Sequence, residues 1–216
     1  MRVKHLFLIY FFILSSFISV FCDTQVFFSP EDKVSEKLIK IINNAKRNIY
    51  VAVYMITDKR IAQALVDAKL KKDLDVQIIT DQSCLEYKYG KINFLKEGNI
   101  DVFVFKNNLK RKKRAPKIMH NKFAIIDNFV WTGSFNWTVQ ANSKNKENVI
   151  LIDDTNIYEK YLKQFNCLKK KCIKQAMNLM LEKKKTKSER IKEGAQNLKS
   201  KLFDFLKDVR KKFNSK

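Results

Sequence analysis

Histidine and cysteine are scarce in this chain of 216 residues, which holds two histidines and four cysteines. Cys22 is followed by an odd number of cysteines, at Cys84, Cys167 and Cys172, and no pair has the C-x-x-C spacing. A structural zinc site needs about four Cys or His ligands at close spacing, so the sequence predicts none. One disulfide and three free thiols remain equal alternatives for an exported protein.

Long apolar runs are also lacking. The apolar run at the N-terminus is short for a membrane span. Arg2 and Lys4 precede a nearly uninterrupted apolar run from Leu6 to Phe21. A membrane span needs about 20 apolar residues, so this run favours a cleaved signal peptide over a retained anchor. We therefore expect residues 1–22 to be a signal peptide and the protein to be periplasmic or secreted, with an N-terminal membrane anchor as the alternative.

Acidic residues are few: 22 Asp and Glu stand against 44 Lys and Arg, which leaves a net charge of +22. Such a field attracts nucleic acid or anionic lipid head groups. The four glycines and two prolines beside many Lys, Asn, Ile and Phe indicate an alternative source of part of this charge, a compositional bias of the whole proteome. With 45% hydrophobic residues the chain has material for a core, so global disorder is excluded.

Strand and helix patterns alternate along the chain. The apolar segment Asn48–Ile56 is typical of a strand buried on both faces, a helix follows from Thr57 and Asp58, and Val76–Thr80 is the next strand. This βαβ order predicts an α/β fold with a mixed, mainly parallel sheet flanked by helices. Further expected elements are a helix capped by Ser29 and running to about Lys46, a helix at residues 91–96, and strands at residues 100–105, 118–126, 129–132 and 149–152.

Two segments concentrate the basic charge. The loop at residues 106–117 has no acid, and it could either track a phosphate backbone or be a solvated excursion. Its candidate substrate-binding residues are Lys110, Arg111, Lys112, Lys113 and Arg114. Residues 155–216 form a basic helical extension with an apolar face from Leu198 to Phe213, suited to peripheral membrane contact or to packing on its own domain. The catalytic domain is then expected at residues 23–154.

The segment HNKFAIIDNFVWTGSFN, which starts at His120, carries the chemistry. On a strand, His120 and Lys122 point to the same side, where an imidazole can attack or protonate a phosphodiester while the ammonium holds its oxygens. Gly133 permits a tight bend that brings Ser134 and Asn136 toward the same phosphate. One histidine without a carboxylate cluster is a poor metal site, so we expect no metal and no cofactor.

The pattern H-x-K-x4-D followed by G-S-x-N resembles the signature of the phospholipase D superfamily. The downstream segment TVQANSKNKENVIL also resembles that family, and NIYVAVYMITDKRIAQAL is similar to the core of its single-motif nucleases and mitochondrial cardiolipin hydrolases. The resemblance covers residues 25–154, so it implies no role for the basic extension.

The resemblance implies a covalent mechanism in which one histidine attacks phosphorus and a second protonates the leaving oxygen. His120 matches both histidine positions, Lys122 and Asn136 would bind phosphate oxygens, Ser134 would support that pocket, and Glu147 would orient the imidazole. Two further motif positions are expected to be structural: Asp127, which lies at the hairpin turn, and Gly133.

The chain holds only His5 and His120, and His5 lies within the expected signal peptide. A nucleophile and an acid acting in the same step require two imidazoles. The sequence therefore predicts a homodimer whose active site is shared across the two-fold axis.

Three functions fit these residues. An endonuclease acting on DNA or RNA is favoured by the charge, the basic loop and the resemblance to single-motif nucleases. A phospholipase D acting on phosphatidylcholine- or cardiolipin-type lipids is favoured by the export signal and the basic helix. A non-catalytic nucleic-acid or membrane binding module is disfavoured by the intact pair of His120 and Lys122.

Overall fold

A computed structural model of the protein describes residues 24–106 and 117–213, with side chains in the C-terminal helix described at residues 155–177, 192 and 194–201. The predicted signal peptide and the basic residues Lys110 to Arg114 lie outside these residues. The strands are β1 Thr24–Ser29, β2 Asn48–Val53, β3 Asp75–Asp81, β4 Asp101–Phe105, β5 Lys122–Ile126, β6 Phe129–Gly133 and β7 Glu147–Ile152. The helices are α1 Val34–Asn44, α2 Lys59–Lys72, α3 Gln82–Glu86, α4 Ile92–Glu97, α5 Val139–Ser143 and α6 Thr155–Phe213.

The seven strands form one mixed sheet in the order β1-β7-β6-β5-β2-β3-β4, which confirms the α/β class. The expected majority of parallel pairs is not observed: β2–β3 and β3–β4 are parallel, and the other four pairs are antiparallel. Parallel neighbours require a crossover, usually through a helix. Here β5 and β6 are joined by a two-residue turn at Asp127 and Asn128 instead, and their hairpin adds to the sheet with antiparallel pairs.

Strand β2 is buried on both faces, as its apolar sequence predicts. Val51 and Val53 belong to a core cluster that also contains residues of α1 and α2, including Leu38 and Leu65. On the opposite face the Tyr50 ring stacks on the ring of Phe165, with ring centroids 5.2 Å apart. The beginning of α6 therefore covers the sheet face that α1 and α2 leave open.

Two predicted element boundaries are wrong. Ser29 ends β1 rather than capping a helix, and α1 begins at Val34. The residues between them form a turn in which the Phe28 amide donates to the Asp32 carboxylate and the Asp32 amide donates to the Phe28 carbonyl. Because these local bonds satisfy the backbone without a helix, they compete with the predicted helix start.

Strand β5 begins at Lys122, four residues later than predicted. The amide of Met119 donates to the buried carboxylate of Asp81, and the carbonyl of Asn121 accepts from the amide of Tyr54. These hydrogen bonds hold residues 118–121 in an irregular segment that leads into β5. His120 therefore lies just before the strand rather than within it.

The strand directions bring one set of ends to the same edge of the sheet. The carboxyl ends of β2, β3 and β6 and the amino ends of β5 and β7 meet there, because β5 and β7 run antiparallel to their neighbours. The residues at these ends are Tyr54, Asp81, Gly133, Lys122 and Glu147. Positions far apart in the chain are collected at this edge, which we call the catalytic edge.

The chain divides into two compact units, one ending at Asn166 and one beginning at Cys167. The first twelve residues of α6, 155–166, thus belong to the unit that contains the sheet. Among the described residues no helix is both long and apolar enough to cross a membrane. Cys84, Cys167 and Cys172 are free thiols, and Leu198 of the predicted apolar face is 73% exposed.

Asp127 ties the β5–β6 turn to the entrance of β2. Its carboxylate accepts the backbone amides of Lys46 (2.9 Å), Arg47 (2.8 Å) and Asn48 (3.2 Å). In return the Asp127 amide donates to the Asn48 carbonyl at 3.0 Å. This contact fixes the end of the sheet opposite the catalytic edge, so Asp127 supports the fold from a distance.

Replacement of this carboxylate is expected to destabilise the fold. In Asp127→Ala three backbone amides lose an ionised acceptor, which should lower the free energy of unfolding by about 2–3 kcal/mol. Asp101→Ala, which removes an exposed carboxylate from β4, is the matched control, and its effect should stay within about 0.5 kcal/mol. Urea unfolding followed by circular dichroism measures both. Equal effects of the two substitutions would contradict the structural role of Asp127.

Candidate active site

His120 and Lys122 lie in direct contact at the catalytic edge. The Lys122 Nζ is 3.1 Å from the His120 Nδ1 and donates to the His120 carbonyl at 2.9 Å. An ammonium has only donors, so in this contact Nδ1 is the acceptor. A ring nitrogen that accepts is unprotonated, so this contact fits a neutral imidazole with its proton on Nε2.

Both groups have lowered pKa values. Burial lowers the pKa of His120 below its usual 6.5, the charge of Lys122 lowers it further, and the charge of Asp81 opposes these effects. Burial also lowers the pKa of Lys122, and the nearby Glu147 carboxylate partly restores it. A neutral imidazole beside a cation is thus the favoured state near neutral pH.

Tyr54 packs against both members of this pair. Its ring centroid is 4.7 Å from that of His120, and the Lys122 Nζ lies 5.5 Å from the Tyr54 ring centroid. The Tyr54 carbonyl accepts a hydrogen bond from the buried Thr80 hydroxyl. The aromatic face therefore restricts the imidazole and also gives the ammonium a favourable cation–π neighbour.

Asp81 is a residue of this site that sequence reasoning did not single out. Its side chain is fully buried and accepts the amide of Met119 at 2.9 Å. It also accepts the amide and hydroxyl of Ser83 at 2.9 and 2.7 Å, and so caps α3. The available signal was an acid that directly follows a buried apolar strand. Asp81 holds the residue immediately before His120 and adds a negative charge behind the imidazole.

Ser134 and Glu147 form a hydrogen-bonded pair where β6 ends and β7 begins. The Ser134 hydroxyl donates to the Glu147 carboxylate at 2.5 Å and accepts the Asn148 amide at 3.1 Å. The other Glu147 oxygen accepts from the Asn145 side chain at 3.0 Å. Within the described residues, the hydrogen bonds of Glu147 thus go to Ser134 and Asn145 rather than to the His120 imidazole, the partner that the resemblance implies.

Gly133 and Asn136 complete the turn that leaves β6. A Cβ added at Gly133 would lie 2.0 Å from the Asn148 carbonyl oxygen, so any side chain would push β6 and β7 apart. The Oδ1 of Asn136 is buried and has no hydrogen-bond partner in the described part of the chain. Buried amides are normally paired, so the Asn136 side chain is one that a ligand could satisfy.

His120, Lys122 and Gly133 border an open cavity of about 290 Å³. Its lining consists of His120, Asn121, Lys122, Phe123, Thr132, Gly133, Lys160, Tyr161 and Gln164. The last three come from α6. A larger cavity of about 820 Å³ lies between α1 and α2 and is lined by none of the predicted site residues, so size alone does not mark the site.

The described residues contain no group of three or more His, Cys, Asp or Glu side chains placed to hold a metal ion. The predicted site residues in the described ranges are His120, Lys122, Asp127, Gly133, Ser134, Asn136 and Glu147. All except Asp127 lie at the catalytic edge. The cavity itself is lined by His120, Lys122 and Gly133, while Ser134 follows Gly133 directly.

Comparison with known proteins identifies close sequence relatives. The family described as the phospholipase D-like domain of cardiolipin synthase matches residues 38–169. A phospholipase D of Rickettsia prowazekii is 37% identical over 139 residues, which are 64% of this chain and 63% of that protein. A mitochondrial cardiolipin hydrolase of Xenopus laevis is 33% identical over 138 residues, which are 63% of this chain and 61% of that protein. The chain spans less than two thirds of the length of these relatives.

Two solved structures share the fold with recognisable sequence identity. NucT from Helicobacter pylori has a TM-score of 0.62 and 28% identity, and the match covers 68% of this chain and 95% of that chain. Nuc from Salmonella typhimurium, a phospholipase D family member, has a TM-score of 0.57 and 30% identity over 67% of this chain and 92% of that chain. The family match and these likenesses confirm the predicted resemblance, and the chain belongs to the family of phospholipase D-like domains.

Proposed function

We propose that this protein is a phosphodiesterase that forms a covalent phosphohistidine at His120 and acts as an endonuclease. The observation that carries this proposal is the contact of the Lys122 ammonium with the His120 imidazole beside an open cavity, together with a lowered His120 pKa that favours the neutral ring. A neutral imidazole is a nucleophile, and a neighbouring cation stabilises the charge that develops on a phosphorane.

The first step begins when substrate enters the cavity. A phosphodiester oxygen competes for Lys122, which leaves Nδ1 and binds the phosphate. Proton rearrangement then places the imidazole proton on Nδ1, and the Nε2 lone pair attacks phosphorus. The phosphorus–oxygen bond to the leaving group breaks, and that oxygen takes a proton from the imidazolium of His120 of the partner subunit. Water later attacks the phosphohistidine, returns a proton to that second imidazole and frees His120.

The proposed homodimer follows from the supply of imidazoles. Nucleophile and acid act in the same step, and His120 is the one histidine of this chain outside residues 1–22. A two-fold axis beside the cavity would supply the second imidazole without any further residue type. The cavity is open to the surface at His120, and such access is what this shared site requires.

Three other residues receive supporting roles in this proposal. Asn136, whose buried amide oxygen has no partner among the described residues, would contact the phosphate by rotation of its amide. Ser134 would hold the Glu147 carboxylate in place through their 2.5 Å hydrogen bond. Glu147 would stabilise the proton on Nδ1 once Lys122 has moved to the phosphate, because its charge already acts on that lysine.

Nucleic acid is the proposed substrate. The net charge of +22 attracts a polyanion along its length. The cavity presents Lys122 and Lys160 among polar side chains, and NucT and Nuc are structural neighbours. Lys110 to Arg114, proposed to track the backbone, would add to this field. A non-catalytic binding module would not need His120 and Lys122 in contact, so this alternative is disfavoured.

A phospholipid is the second candidate substrate, and two observations favour it. Relatives of this chain are named phospholipase D and mitochondrial cardiolipin hydrolase. Ile118, two residues before His120, is 45% exposed and could contact an acyl surface. The basic helix α6 would then dock on anionic bilayers. We propose export through residues 1–22 for either substrate, because Arg2 and Lys4 precede a short apolar run typical of a signal peptide.

Metal-free cleavage is expected, because the proposed nucleophile and acid are imidazoles and the proposed charge stabiliser is Lys122. In excess EDTA the protein should cleave single-stranded or plasmid DNA at the rate measured without chelator, and His120→Ala should lower the cleavage rate by about 1,000-fold. Cardiolipin-containing vesicles form the parallel substrate. Cleavage of vesicles alone would reject the nuclease in favour of the phospholipase, and undiminished cleavage by His120→Ala would reject the mechanism.

Subunit mixing tests the shared site. If each site needs two imidazoles, an equilibrated equal mixture of parent and His120→Ala should retain about one quarter of the activity of the same total amount of parent, since only parent homodimers act. Independent subunits would instead retain about one half. Sedimentation at the assay concentration provides the control that subunits have assembled and exchanged. A retained half would contradict the two-imidazole site.

The coupling of Lys122 to His120 predicts a pKa change. Removal of the cation in Lys122→Met should raise the pKa of His120 toward its usual 6.5, because the positive charge that disfavours imidazolium is lost. In the parent, the midpoint of the acid limb of the kcat/KM pH profile should therefore lie below pH 6.5, because activity requires a neutral nucleophile. Titration of the imidazole protons by NMR in a His5→Gln background measures the pKa. An unchanged or lower value in Lys122→Met would contradict this coupling.

A further inference from the structure

The first turns of α6 contribute a wall to the catalytic cavity. Lys160, Tyr161 and Gln164 line it together with His120 and Lys122. Gln164 lies four residues after Lys160 and three after Tyr161, so its side chain neighbours both of them on the helix surface. None of them belongs to the H-x-K-x4-D or G-S-x-N motif, although the family match extends through residue 169.

Two aromatic contacts fix this part of α6 on the sheet. The Tyr161 hydroxyl donates to Thr132 Oγ1 at 3.2 Å, and its ring packs edge-on against Phe123, with centroids 5.0 Å apart. One turn later Phe165 is 1% exposed and stacks on Tyr50. Because Phe123 directly follows Lys122, the helix is anchored on the strand that carries the catalytic lysine.

Lys160 therefore stands at a fixed position on the cavity rim. Its side chain is exposed, and no described carboxylate forms a salt bridge with it. Gln164 lies one turn further along the same face and offers an amide donor. A cation beside an amide donor on an anchored helix is suited to bind a phosphate. Lys122 is already proposed to bind the phosphate at the imidazole, so Lys160 is available for a different one.

We propose that Lys160, assisted by Gln164, binds the phosphate that flanks the scissile one on a nucleic acid strand. The inference rests on the proposed nuclease function and extends it from the reacting phosphate to its neighbour. It makes Lys160 a substrate-positioning residue, because it fixes the strand so that the scissile phosphorus faces His120. The beginning of the C-terminal helix is then part of the active site.

The test compares two lysines on the same helix. Lys160→Gln removes the proposed contact, whereas Lys163→Gln removes an equal charge from an exposed position that does not line the cavity. Both full-length variants are assayed on a single-stranded oligonucleotide, which has flanking phosphates, and on bis(4-nitrophenyl) phosphate, which has none. The second substrate also reports whether each variant is folded and active.

Lys160→Gln should raise KM for the oligonucleotide about tenfold, as expected for one charge-assisted contact, with a smaller change in kcat. The loss of kcat/KM on the oligonucleotide should exceed the loss on bis(4-nitrophenyl) phosphate by a similar factor. The slope of log KM against log salt should fall by about 0.7, the value for one phosphate on a single strand. Lys163→Gln should behave as the parent on both substrates.

Equal losses on the two substrates would overturn the inference, because they would place Lys160 on the scissile phosphate itself. Equal effects of Lys160→Gln and Lys163→Gln would also overturn it, since they would show a general field instead of a contact. A parent that cleaves bis(4-nitrophenyl) phosphate but no oligonucleotide would reject the nuclease function along with the inference. An oligonucleotide cleaved by Lys160→Gln with the parent's KM would reject the inference alone.

Discussion

An ammonium and an imidazole lie 3.1 Å apart at the amino end of β5, and the surrounding structure serves to hold them there. Burial and the adjacent cation both disfavour the protonated imidazole, so together they favour a neutral His120. In the proposed mechanism, the same contact places Lys122 where it would bind phosphate oxygens. Tyr54 restricts both groups from one side, and Asp81 holds the backbone at Met119 from behind.

This arrangement depends on strand direction as much as on side-chain chemistry. Tyr54 and Asp81 end parallel strands, whereas Lys122 begins a strand that runs against them. Their meeting at one edge requires an antiparallel hairpin inserted beside a βαβ unit. The sequence predicted the β5–β6 hairpin but not the other three antiparallel pairs, and all four are part of what builds the site.

The sequence predicted the α/β class and the central strands well, because β2 and β3 are nearly continuous apolar runs whose burial dominates their conformation. It failed at the start of α1 and at the start of β5. There, Asp32 and Asp81 offer backbone amides an alternative partner, and such partners are invisible to periodicity. The expected majority of parallel strand pairs was wrong, because local sequence patterns identify strands but not which strands lie next to one another.

The candidate site likewise contains residues that the sequence could identify and residues that it could not. His120, Lys122, Ser134 and Asn136 could be named because they lie within one short segment with a recognisable spacing. Asp81 and Lys160 come from distant segments and meet His120 only through tertiary structure. Charge counting also gave no hint of Lys160, since it is one of 44 Lys and Arg residues. A cavity wall had to be seen before this lysine could be distinguished from its neighbours.

In the proposed dimer, symmetry creates a problem that the local electrostatics can solve. Two identical imidazoles must act differently, one neutral and one protonated, although each has the same sequence context. Two imidazolium groups facing one another repel, so the pair is expected to titrate as a coupled unit that holds one proton over a range of pH. Each Lys122 lowers the pKa of its own His120 and favours loss of the first proton. A bound phosphate adds negative charge between the rings and favours retention of the second. Substrate binding itself then selects the singly protonated pair in which attack and proton donation occur together.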